Sequence, residues 1–129
     1  MTGFGQILDD LNGAGVRYVL IGGIALIRHG VVRATRDVDA VFDPDPSNVE
    51  RIRTLGDLDL LSERSASVGF AELLTRAETR RIDGVEAPIC SLADLVALKR
   101  SAGRERDLVD LADLEAAHGD LPDSRGSSA

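Results

Sequence analysis

The sequence predicts an α/β (α+β) domain: a small mixed β-sheet, helices packed on one side of it, and a helical pair at the C-terminal end. Three observations predict this. Short apolar runs such as Val19-Leu20-Ile21 stop abruptly at glycine, as buried strands do. Residues 79–82 and 85–89 flank Asp83-Gly84, the strongest short hairpin signal in the chain. Two helical stretches, 92–101 and 104–118, are separated by Gly103.

Taken in order, Phe4, Ile7, Leu8 and Leu11 form a helical stripe that Asn12-Gly13-Ala14-Gly15 ends. A strand over 17–21 follows, then the Gly22-Gly23 break. Residues 24–29 make nearly two helical turns before Gly30, and Arg28 and His29 place positive charge at the end where the helix dipole favours it. A second strand covers 37–42. Asp43-Pro44-Asp45-Pro46 breaks it, and Ser47 with Glu50 has the spacing of a capping box for a short helix over 48–53. Residues 57–61, Asp-Leu-Asp-Leu-Leu, alternate as a strand, with Leu58 and Leu60 on one face and Asp57, Asp59 and Leu61 on the other. Residues 62–68 read as a polar loop and 70–77 as a short helix. Ser91 with Asp94 opens the first C-terminal helix, which offers Leu92, Leu95, Val96 and Leu98 to the core. The second offers Leu108, Leu111, Ala112 and Leu114 to Ala116. Residues 1–120 form one domain, and 121–129, rich in Ser, Gly, Pro and Asp, form a flexible tail.

The chain is 129 residues long, enough for one modest core. A hydrophobic fraction of 43% fits a globular protein, and no apolar run approaches the roughly 20 residues a membrane helix needs. The N-terminus lacks the basic start and apolar core of a signal peptide, so a cytoplasmic location is expected. The single cysteine, Cys90, cannot form an internal disulfide and reads as buried filler. A net charge of −7 argues against loose, salt-driven binding along nucleic acid, but not against one nucleotide or one RNA held in a local basic pocket.

The stretch 18–43 organises the rest. Asp37 and Asp39 share one face of their strand, while Val38, Ala40 and Phe42 share the other. Two neighbouring carboxylates repel unless a cation joins them, which points to a metal site. The order of a Gly-Gly turn, a short helix and then T-R-D-V-D resembles the signature of the nucleotidyltransferase superfamily, the polymerase-beta-like fold. There hG[GS] is followed by DxD and by a third carboxylate on a further strand. The chain resembles small bacterial members in particular, including abortive-infection and toxin–antitoxin nucleotidyltransferases. Residues 91–114 resemble their helical tail, with Lys99, Arg104 and Asp107 matching K-x(4)-R-x-x-D.

The resemblance implies transfer of a nucleoside monophosphate from a nucleoside triphosphate to a hydroxyl on RNA, protein or a small molecule, with pyrophosphate leaving. It implies Asp37, Asp39 and Asp59 as catalytic metal ligands, the first two bridging two Mg²⁺ ions and Asp59 nearest the acceptor hydroxyl. Hard carboxylate oxygens suit Mg²⁺, and two ions about 3.5–4 Å apart can clamp attacking and leaving oxygens. Gly22 and Gly23 would let backbone N–H groups approach phosphate oxygens. Arg36 and Lys99 would bind the nucleotide, with Arg104 a second candidate. Arg33, Thr35 and Arg36 read equally as phosphate contacts or as a solvated loop, and Arg104 with Asp107 reads more readily as an i,i+3 helix pair. One departure stands out. The family has a longer helix and an extra strand between Asp39 and Asp59, so the acceptor pocket is expected to be truncated, or completed by a second copy or partner chain. A catalytically reduced, antitoxin-like binding protein is the alternative reading. A phosphate-releasing hydrolase using the same aspartates is another. An aromatic content of 3% leaves little to stack on a base.

Overall fold

The computed structural model describes residues 3–56, 61–63 and 67–122. Its centre is strand β1 (Tyr18–Ile21), all four residues of which are buried. Strand β2 (Val38–Phe42) pairs antiparallel with β1, and β3 (Leu61–Glu63) pairs parallel with β2. On the other side β5 (Val85–Ile89) runs parallel to β1, and β4 (Glu78–Ile82) closes that edge antiparallel to β5. The order is therefore β3-β2-β1-β5-β4, a mixed sheet. Neighbouring residues of a strand point to opposite faces, so the burial of the whole of β1 means that both its faces are covered. Helices α1 (Gly3–Gly13), α2 (Gly22–Arg28) and α4 (Phe70–Arg76) all pack against β1 or β5.

The local signals explain most of these elements. In α1, Ile7, Leu8 and Leu11 are buried as the stripe requires. Asp83 and Gly84 have φ of 51° and 81°, the pair of left-handed residues that a two-residue hairpin needs. Ser91 Oγ accepts from the Asp94 N–H at 3.1 Å and caps α5 (Leu92–Ala102). The Asp94 carboxylate meanwhile takes Arg76 Nε at 3.0 Å and Nη2 at 2.9 Å, tying α5 to α4.

Four details differ most from expectation. Asp37 precedes β2 rather than starting it. Helix α3 (Pro46–Thr54) begins two residues early, because Asp45 rather than Ser47 caps it and Pro46 suits the first turn. Ser62 and Glu63, expected in a loop, lie in β3. Asp57 and Asp59 fall outside the described residues. The fourth difference concerns α6 (Glu105–His118). Leu108, expected inside, is 58% exposed, while Asp107 and Asp110 are buried with Leu114. The partners of those two carboxylates, described next, decide which way the helix faces.

Candidate functional site

Antiparallel pairing sets Ile21 opposite Asp39. The chain leaves β1 at Ile21 and turns into α2 at Gly22, whose φ of +68° lies in the left-handed region. A Cβ there would overlap Asp39 Oδ2 and lie 2.9 Å from Asp39 Cβ. At Gly23 a Cβ would lie 2.8 Å from the Cβ of Thr35. Both glycines are thus required by close approach to this chain's own side chains. Their bare faces receive Asp39 and Thr35.

This turn forms one wall of a cavity of about 710 Å³. Gly22, Gly23, Arg36, Asp39 and Lys99 all line it, so five of the sequence-predicted residues meet in one place. Asp37 does not line the cavity: it is exposed, at the foot of β2, and its carbonyl accepts from Thr35 Oγ1 at 3.2 Å. Among the described residues there is no cluster of three His, Cys, Asp or Glu side chains able to hold a metal. Asp39 is the carboxylate that β2 supplies to the cavity.

The opposite wall comes from α5 and α6 and is built on charge. Lys99 is 13% exposed, and its Nζ lies 3.2 Å from Asp107 Oδ1 and 2.8 Å from Asp110 Oδ2. Asp110 Oδ1 takes Arg33 Nη1 at 2.6 Å. Asp107 Oδ2 takes Arg104 Nε at 2.7 Å and the Arg104 backbone N–H at 3.1 Å. The groups form an alternating chain, Arg33–Asp110–Lys99–Asp107–Arg104. Burial pushes the Asp107 carboxyl up, but the hydrogen bonds from Arg104 and Lys99 outweigh it and hold the group down at about 2. Buried carboxylates persist only when paired in this way, and the pairing turns Asp107 and Asp110 inward at the expense of Leu108.

Arg33, Arg36, Lys99, Arg104 and Arg106 line the cavity against Asp39, Asp107 and Asp110. In a chain of net charge −7 this is a locally basic hollow with a carboxylate across from it, suited to an anion carrying a cation. Asp110 and Arg106 were not singled out from sequence. The signal for Asp110 was its i,i+3 spacing from Asp107, which puts both on one face of α6.

A mixed sheet carrying a glycine turn and an aspartate strand at one cavity defines a protein of the nucleotidyltransferase fold. The chain belongs to the family described as "Nucleotidyltransferase of unknown function (DUF6036)", whose model matches residues 6–118. The fold is similar to the crystal structure of an antigenic nucleotidyltransferase-like protein from Paracoccidioides brasiliensis, with a TM-score of 0.59. The likeness covers 88% of this chain and 72% of that one at 14% identity, so it speaks for the fold alone. No curated protein matches the chain. No helix among the described residues is long and apolar enough to cross a membrane.

Proposed function

We propose that this protein transfers a nucleoside monophosphate from a nucleoside triphosphate to a hydroxyl acceptor, releasing pyrophosphate. The observation that carries the proposal is the convergence of Asp39, the Gly22-Gly23 turn and Arg36 on one basic cavity. The triphosphate lies in that cavity with Arg36 as a phosphate partner and the α2 turn as one wall. Mg²⁺ takes one or two carboxylates and completes its shell with waters and phosphate oxygens. Asp39 supplies one such hard-oxygen donor at the cavity, and Asp37, two residues before it, and Asp59 are the further ligands proposed. When bound, the metal supplies charge for the developing negative oxygens. The protein's own part is to orient the phosphates and to exclude water from the reacting centre. Asp59 accepts the proton of the acceptor hydroxyl.

The test is Mg²⁺-dependent incorporation of labelled nucleotide into cell extract, assayed with each of the four triphosphates. Asp39→Asn and Asp59→Asn are each expected to cost at least about 100-fold in rate, since several kcal/mol of charge stabilisation is at stake. Equal background from wild type and both variants would overturn the enzyme reading in favour of a binding protein. Release of orthophosphate in place of pyrophosphate would turn it to a hydrolase.

A further inference from the structure

We propose that Asp110 is a positioning residue for this site, acting through Arg33 on the loop between α2 and β2. The proposal rests on the nucleotidyl-transfer reading, though its structural half can be tested without that reaction. Asp110 has both carboxylate oxygens engaged while its side chain is only 3% exposed. One oxygen belongs to Lys99 and the other to Arg33. Lys99 also serves Asp107, so two of its three N–H donors are committed to buried carboxylates. Stranding buried charge is costly, so the first role of Lys99 is as the counter-ion of α6. The lysine holds Asp110 in place, and Asp110 in turn holds Arg33.

Arg33 sits in the middle of the segment 31–37, which has no helix or strand of its own. Val31 fixes the start of that segment by burial and by its N–H bond to Leu26 O at 3.0 Å. Pairing of β2 with β1 fixes the end. Between these points lie Thr35, which fills the bare face of Gly23, and Arg36, which lines the cavity. The Arg33–Asp110 pair spans 77 positions of the chain and ties this stretch to α6. Without the tie, Asp39 would stay on its paired strand while Thr35 and Arg36 would lose their setting. The deficit should therefore appear in nucleotide binding more than in turnover.

The experiment compares wild type, Arg33→Gln, Arg33→Lys, Asp110→Asn and the Arg33→Gln/Asp110→Asn double variant. Amide hydrogen exchange over 32–37 and steady-state kinetics in the triphosphate are both measured. Exchange in 32–37 should accelerate in Arg33→Gln and Asp110→Asn, and Arg33→Lys should restore part of the protection. The triphosphate KM should rise about tenfold with kcat nearly unchanged, the scale of a lost outer-shell support. The double variant should be no worse than either single one, as for two halves of one contact. A raised KM in Arg33→Gln with unchanged exchange would overturn the proposal and make Arg33 a ligand contact. Multiplying effects in the double variant would also overturn it. If Asp110→Asn fails to fold, the partly exposed Arg33→Gln carries the same readout. A wild type that transfers no nucleotide defeats the functional reading, and the exchange data still decide the anchor.

Discussion

The carboxylate of Asp39 occupies the space where a side chain on Gly22 would lie. The strand register brings the two residues together, and the left-handed backbone at Gly22 aims its bare face at the acid. Turn and acid are therefore one unit, and a change at either is felt at the other.

Gly22→Ala should separate steric conflict from backbone strain. Gly84 also has positive φ, +81°, but nothing within 4 Å of a would-be Cβ. Gly84→Ala is expected to cost about 1–2 kcal/mol, the left-handed penalty alone. Gly22→Ala should cost clearly more in chemical denaturation, because Asp39 must also move. Equal costs would show that the close approach has no energetic weight.

The acid limb of stability should carry the signature of Asp107. Its folded-state carboxyl titrates at about 2, against an ordinary value of 3.8. A depressed carboxyl contributes stability above the unfolded value and loses it as pH falls through the folded one. The expected contribution is about 2 kcal/mol at neutral pH, lost between about pH 4 and pH 2. Denaturant titrations across that range should show a shallower loss in Asp107→Asn than in wild type.

Asn48 is fully buried although it lies in the first turn of a surface helix, α3. Its Oδ1 accepts from the Arg17 N–H at 2.7 Å, and its Nδ2 donates to Arg17 O at 2.9 Å and to Asp43 O at 3.0 Å. It thus joins the start of β1 to the end of β2. Asn48→Ala strands these backbone groups and should destabilise the protein by roughly 2–3 kcal/mol in thermal or urea unfolding. Asn48→Asp, which would set a buried carboxylate against two carbonyl oxygens, should cost at least as much.

Cys90 should be inert in the native protein. Burial pushes its thiol up to about 12, aided by the nearby Asp94 charge. Thiolate is the reactive form, so a thiol-specific reagent should label Cys90 at the rate of global unfolding and faster only in denaturant. Rapid labelling of the folded protein would contradict its burial.

Much of the site was legible in the sequence because its signals are local. The Gly-Gly break, the alternation around Asp39, the Asp83-Gly84 turn and the Ser91 cap each depend on a few consecutive residues, and the structure places each one. The orientation of α6 was not legible, because hydrophobic periodicity assigns aspartates to solvent. Asp107 and Asp110 are instead inside, held by Lys99, Arg33 and Arg104.

By itself the sequence determined an α+β chain with a glycine turn ahead of two strand-spaced aspartates, because those features are written in neighbouring residues. Tertiary structure alone decided what fills the bare faces of the two glycines, and that the single lysine neutralises α6. It alone decided that Arg33 reaches Asp110, 77 positions away. A buried charge takes whichever partner the packed chain brings within about 3 Å of it, and no local pattern records that partner.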